Sequence, residues 1–295
     1  MKTLFLVNPK AGGGSAARRW PPLTRKFVEA GWRVNVAMGR DATEATAMIK
    51  DAVADGMDVV VVFGGDGTVR LAAKLLAGTE CALGILPGGT GNGIAYSLGL
   101  PLDPGAAGRR LLKGKRQQVD VGVVRGLASG VVDRFINVGG AGFDARLSDG
   151  VAHAPPHLKG IPAYVFAAVR TIPTMSLQTV RVEADGHLLS AKALVVAAAN
   201  GSCYGKGLYI APDASVSDGL LDVCVVDEVS LIELASIVPL VFFGHHVGHP
   251  KVKYGKAKVV RVTAPAPVLA QADGDLVGQT PVEFSLEPSS LWIIR

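Results

Sequence analysis

Over its first 125 residues the chain alternates short apolar runs rich in β-branched residues with stretches of helical periodicity. The runs are TLFLV (3–7), RVNVAM (33–38), DVVVVF (58–63), ALGILP (82–87) and VDVGVV (119–124). Strands with so few polar positions are buried on both faces, and helical crossovers between them predict a parallel sheet. Asp41 and Glu44 open one crossover as a D-x-x-E capping box, Met48, Ile49, Ala52 and Val53 share its apolar face, and Gly56 closes it. PLDPGAAGRRLLKGKRQQ (101–118) reads as a solvated helix and turn.

Beyond residue 126 the rhythm changes to short alternating strands with turn signals. In TVRVEADGHLLSAKALVV, Asp185 and Gly186 suit a two-residue hairpin turn. Helical signal there is confined to roughly 157–172 and 230–244. The pattern predicts an α/β domain over 1–125 and a second, mainly antiparallel domain over 126–285, while SSLWIIR forms a last strand that pattern alone assigns to neither.

Length and composition narrow the class. With 295 residues, 49% of them apolar and 19% charged, the chain is globular and not disordered. A net charge of +5 favours an anionic partner such as nucleotide phosphate or an acidic membrane surface. Cys81, Cys203 and Cys224 are far apart with no CxxC pair, which argues against a disulfide framework or thiolate zinc site and fits a reducing compartment. The apolar run LFLV near the N-terminus is too short for a secretory signal and reads as a core strand. LIELASIVPLVFFG (231–244) carries Glu233 and Pro239 and falls short of a membrane span. With no basic and aromatic platform, nucleic acid is set aside as a partner.

Three glycine-rich loops, NPKAGGGS (8–15), GGDGT (64–68) and PGGTGNG (87–93), each follow a predicted strand. Such loops expose backbone N–H groups at a helix N-terminus, and open parallel sheets bind ligands at the carboxyl ends of their strands. All three could therefore converge on one polyphosphate. Asp66 is out of place beside phosphate unless it holds a cation, belongs to an acidic hydrogen-bonded network, or accepts a proton from an acceptor hydroxyl. Thr68 suits a helix cap or a phosphate contact. GGGSAA (12–17) and GAGFDA (140–145) meet a loose dinucleotide fingerprint; for the first, Arg40 or Asp41 would meet a ribose. No Walker A sequence is present. HHVGH (245–249) lacks helical continuity and an acidic ligand, so surface or interface histidines are expected in place of a metal site, and His153 and His157 are read likewise.

Together NPKAGGG, VVFGGDGTV, LPGGTGNGIAYSLGLP, INVGGAGFDA, IAPDASVSDGLLDV and QADGDLVGQTPVEF resemble, in order and over nearly the whole chain, the diacylglycerol kinase catalytic family, which includes bacterial lipid kinases and sphingosine kinases. The resemblance implies an ATP-binding α/β domain, a β-sandwich domain, ATP in the cleft between them, and a last strand (about 286–295) that returns to the first domain. It implies Mg²⁺-dependent transfer of the γ-phosphoryl group to a lipid hydroxyl at the membrane surface, by a cytoplasmic, peripherally bound protein without a transmembrane segment; a homodimer is compatible with it. ATP contacts carry over to Asn8, Gly64, Gly65, Asp66, Gly67, Thr68, Val69, Arg70, Gly89, Thr90 and Asn92. The family's acidic network maps to Asp66 and Asp120, a structural magnesium site to Asp218 with the carbonyls of Ser215 and Leu220, and the proton acceptor to Asp275.

Asp275 stands where the family places glutamate, one methylene longer, and a displacement of about 1 Å in a catalytic group can cost on the order of 100-fold in rate. Either the backbone moves in or Asp66 is the base. Gly93 replaces an aspartate of many bacterial members, Tyr96 an arginine, and Gly39 a threonine that contacts ATP in some relatives. Two alternatives follow: an NAD kinase-like or other small-molecule kinase that shares GGDGT, and a nucleotide- or lipid-binding regulator without catalysis.

Overall fold

The computed structural model of the protein describes residues 1–142, 180–204 and 207–295, and divides into two compact units, Met1–Val121 with Pro288–Arg295, and Gly122–Glu287. The helical signal at 157–172, His153, His157 and the latter half of GAGFDA lie outside the described residues.

In the first unit β1 (Lys2–Val7), β2 (Arg33–Met38), β3 (Val59–Gly64) and β4 (Ala82–Pro87) lie in the order β2-β1-β3-β4, every pair parallel. Every residue of β3 and β4 is buried, as their unbroken apolar runs require, whereas β2 is the exposed edge. The strand order reverses direction between β1 and β3, the point at which a parallel sheet opens a crevice at its carboxyl ends. The crossover helices are α1 (Ala16–Glu29), α2 (Ala42–Ala54) and α3 (Asp66–Leu76), and short α4 (Gly93–Ser97) and α5 (Pro104–Lys113) follow β4. Phe5, Phe27 and Trp32 meet edge-on, at centroid distances of 5.9 and 4.9 Å, and anchor the core beneath α1.

Two local expectations are corrected. Asp41 caps α2 by accepting from Glu44 N–H at 2.9 Å, but the Glu44 carboxylate turns to Arg40, so the reciprocal half of the box is missing. The helix in 101–118 is amphipathic, not solvated: α5 buries Pro104, Ala107, Gly108 and Leu111, and β5 (Arg116–Gly126) already begins at Arg116. The chain's end re-enters this unit, where Ile293 of β15 (Val282–Ile294) pairs in parallel with Leu83.

The second unit is antiparallel. It contains β6 (Val132–Phe135), β7 (Val138–Gly142), β8 (Val180–Ala184), β9 (His187–Ala199), β10 (Leu221–Asp227), β11 (Val252–Ala257), β12 (Val260–Thr263), β13 (Leu269–Ala272) and β14 (Asp275–Gln279). Asp185 and Gly186, with φ of 47° and 81°, make the tight turn between β8 and β9, since both central residues of such a turn need positive φ. β9 is central. Ala193, Val196 and Ala198 face one core with Phe135 and Phe284, while Leu194, Ala197 and Ala199 face another with Ile210 and Ile237. Ile237 belongs to α6 (Leu231–Val241), whose N-terminus is closed by a full Ser230/Glu233 capping box.

Candidate functional site

The three glycine loops of the first unit converge at the β1/β3 reversal, through contacts that leave no room for side chains. A Cβ on Gly89 would stand 2.6 Å from Gly65 Cα, and one on Gly12 would stand 2.6 Å from the Gly88 carbonyl oxygen. Gly12 moreover has φ of 58°, a region other residues enter at a cost. Gly88 N–H donates to the Gly64 carbonyl at 2.8 Å, and Asn8 N–H to the Phe63 carbonyl at 3.0 Å.

Side chains complete the joinery. Asn8 donates through Nδ2 to Thr68 Oγ1 at 2.9 Å while its Oδ1 accepts from Lys10 N–H at 3.0 Å. Asp66, the first residue of α3, accepts through Oδ1 from Ile94 N–H of α4 at 3.0 Å. Asn92, buried in the left-handed conformation, closes its own loop on Gly89, accepting from its N–H at 2.9 Å and donating to its carbonyl at 2.8 Å. Thus Asn8, Gly64, Gly65, Asp66, Thr68, Gly89 and Asn92 come together, with Gly67 and Thr90 exposed beside them. Val69 and Arg70 point inward, Arg70 being 4% exposed. The opening turn of α3 has amides without intrahelical partners, so the cradle suits phosphate by hydrogen bonding and by dipole. Arg40 forms an ion pair with Glu44 at 2.6 Å and Asp41 caps α2, so both residues considered for a ribose are already engaged.

Asp120 is placed differently. It is 1% exposed on β5 and its Oδ1 accepts from the N–H of Ser289 at 2.7 Å, where Ser289 has φ of 50°.

In the second unit Asp275 opens β14, exposed, immediately after the tight turn made by Asp273 and Gly274 with φ of 49° and 92°. Asp273 is more than a turn residue. Its carboxylate accepts from three successive backbone N–H groups, Ile136 at 2.7 Å, Asn137 at 2.9 Å and Val138 at 3.0 Å. Gln271, 1% exposed, accepts from Gly274 N–H at 2.7 Å and donates to Tyr204 Oη at 2.7 Å. Sequence reading missed this support, because only the antiparallel pairing of β13 with β7 brings residues 271–273 to 136–141.

The remaining acidic cluster is held by a lysine. Lys256 Nζ lies 2.6 Å from Asp218 Oδ2 and 3.1 Å from Asp222 Oδ2, and these carboxylates raise its pKa. Tyr254 Oη donates to Asp222 Oδ1 at 2.7 Å; burial, then that bond, push the phenol's pKa well up. Asp218 Oδ1 accepts from Leu220 N–H at 3.1 Å. A hard divalent cation takes about six oxygen ligands, waters among them, and Mg²⁺ draws only one or two carboxylates from the protein, which must be free to face it. The donor set of Asp218 with Ser215 and Leu220, carrying an ammonium on its one carboxylate, does not fit one. No group of three or more His, Cys, Asp or Glu side chains is placed to hold a metal among the described residues.

HHVGH is corrected too. His245 is exposed, but His246 is fully buried in a short 3₁₀ turn, its Nε2 3.1 Å from the Ile210 carbonyl, and burial lowers its pKa.

Residues 2–124 match the diacylglycerol kinase catalytic domain, and residues 137–295 match the YegS C-terminal NAD kinase beta sandwich-like domain. A diacylglycerol kinase of Mycobacterium tuberculosis (strain ATCC 25618 / H37Rv) is 34% identical over 297 residues, covering 100% of this chain and 95% of that protein. One from Bacillus subtilis (strain 168) is 28% identical over 286 residues, covering 95% and 91%. A crystal structure of a diacylglycerol kinase from Bacillus anthracis str. Sterne superposes with a TM-score of 0.75 at 23% identity, over 99% of this chain and 96% of that one. The α/β and antiparallel domains of this chain have that architecture. With both domain families in sequence, and a relative at 34% identity matched over the whole of this chain and 95% of its own length, the chain belongs to the diacylglycerol kinase family.

Proposed function

We propose that the protein transfers the γ-phosphoryl group of ATP to the free hydroxyl of a diacylglycerol-like lipid. The observation that carries this reading is the meeting of three glycine loops where an added Cβ on Gly12 or Gly89 would collide with a neighbouring loop's backbone. Packing this close leaves main-chain N–H groups to meet phosphate oxygens. The names of the relatives support the acceptor class.

In this reading Gly65, Gly67 and Thr90 hold the phosphates through the main chain, Gly64 and Gly89 give the loops their close approach, and Asn8, Thr68 and Asn92 hold the loops. Mg²⁺ carried in with ATP supplies neutralisation of charge on the β- and γ-phosphates. The acceptor hydroxyl forms the new P–O bond and gives its proton to a carboxylate, Asp275 or Asp66, while the bond to the β-phosphate oxygen breaks and ADP leaves. Such general-base help is worth roughly 10²- to 10⁴-fold. Asp120, buried and bound to Ser289, acts in the acidic network and not on substrate. The lipid is met in this reading by peripheral docking at the membrane surface; among the described residues no helix is long and apolar enough to cross a membrane.

The test is transfer of labelled γ-phosphate from ATP and Mg²⁺ into diacylglycerol in mixed micelles. The expected result is a labelled phosphatidic acid that disappears in Asp66→Asn. Label in a soluble acceptor instead, or saturable ATP binding without transfer, would replace this reading with a small-molecule kinase or a binding protein.

A further inference from the structure

We infer that the Lys256 ammonium stands where the family resemblance implies a structural magnesium ion, so that the loop between Asp213 and Asp222 is closed by a built-in cation and needs no divalent metal. The inference is independent of the phosphoryl-transfer reading, since it concerns what holds the second unit together.

Asp222 is 0% exposed, and a buried carboxylate is retained only when paired. Both of its partners come from β11. Asp222 and Lys256 are directly opposite in the antiparallel β10–β11 pair, and Tyr254, two residues earlier, projects from the same face. One carboxylate oxygen takes the Tyr254 hydroxyl at 2.7 Å and the other faces the ammonium at 3.1 Å.

Lys256 then reaches out of the ladder to the loop. Its 2.6 Å contact with Asp218 Oδ2 joins the loop's carboxylate to the strand's, the link a cation shared between them would make. The other end of the loop is tied to the same strand by Asp213 N–H, which donates to Tyr254 Oη at 3.2 Å. Gly219, with φ of 72°, turns the chain between Asp218 and Leu220. A divalent ion bound at about 2.0–2.6 Å from Asp218 Oδ2 would stand against the positive ammonium, which would have to give up its contacts with both Asp218 and Asp222.

The experiment uses the full chain without nucleotide or lipid, so its outcome does not depend on whether the protein is a kinase. Thermal unfolding is followed in excess EDTA and in excess MgCl₂ for the wild type, Asp218→Asn and Lys256→Met, with Mn²⁺ binding followed by electron paramagnetic resonance. The expected result is a wild-type Tm that is the same in both solutions and no bound Mn²⁺ that depends on Asp218. Lys256→Met is expected to lower Tm by several degrees in EDTA, and Mg²⁺ to restore part of the loss. The inference is overturned if the wild type gains stability from Mg²⁺ or binds one Mn²⁺ and Asp218→Asn abolishes either. It is overturned equally by a Lys256→Met loss that no divalent cation restores, which would make Lys256 only a partner of Asp222. Should Lys256→Met not fold, the wild-type and Asp218→Asn comparison still decides.

Discussion

The carboxylate of Asp66 accepts the backbone N–H of Ile94 at 3.0 Å, tying the loop after β3 to the loop after β4. The bond uses Oδ1, and an asparagine can make it equally well, whereas accepting a proton requires the carboxylate. Asp66→Asn is therefore expected to keep its Tm within about a degree or two while turnover falls by at least ~10²-fold. Melting curves and lipid phosphorylation assays on one preparation check this; full activity in the variant would remove Asp66 from the chemistry.

Gly89→Ala places a methyl group 2.6 Å from Gly65 Cα and 3.0 Å from Asn92 Oδ1. Backbone is the obstacle, so the loops must part. The expected cost is about 1–3 kcal/mol of stability, together with a large loss of nucleotide affinity. Denaturant unfolding and ATP titration separate the two effects. Gly67→Ala, where a Cβ meets nothing within 4 Å, is the control and should fold normally.

Asp273→Ala removes the acceptor of three backbone N–H groups, those of Ile136, Asn137 and Val138. Hydrogen bonds to a charged acceptor are worth about 1.5–3 kcal/mol each, discounted here because the site is only part-buried. A loss on the order of 3 kcal/mol is expected by urea unfolding. Asp275→Ala, at the exposed end of the same turn, should cost much less stability than Asp273→Ala, and a fall in turnover beyond that cost would mark Asp275 as the proton acceptor.

His246 is fully buried beside the Ile210 carbonyl, and burial holds its pKa below the ordinary value. The unfolded chain then binds the proton first as pH falls, so stability is lost below about pH 6.5 and is fully present above it. His246→Gln, which cannot take up that proton, should flatten the dependence of Tm on pH between about 5 and 7 relative to the wild type. An unchanged slope would place the acid sensitivity elsewhere.

The parallel and antiparallel halves were legible from short-range pattern. Val59–Gly64 announces a strand buried on both faces because it has no polar position to expose, and Asp185-Gly186 announces a hairpin because few residues accept positive φ. Glycine loops after strands likewise marked where the three loops meet, since close backbone approach favours glycine locally. What pattern could not supply were partnerships across long sequence separations. Asp66 with Ile94, Asp273 with the amides of 136–138, and Asp222 with Lys256 depend on strand order and register. The same holds for His246, whose sequence neighbours suggest a surface turn but whose side chain is fully buried against Ile210. Short-range patterning by itself determined the alternation of strands and helices in the first unit and the antiparallel character of the second. Only the tertiary structure decided which carboxylates brace the backbone, which two face the Lys256 ammonium, and which strand the chain's end pairs with, because each rests on contacts whose members carry no mark of one another in the sequence.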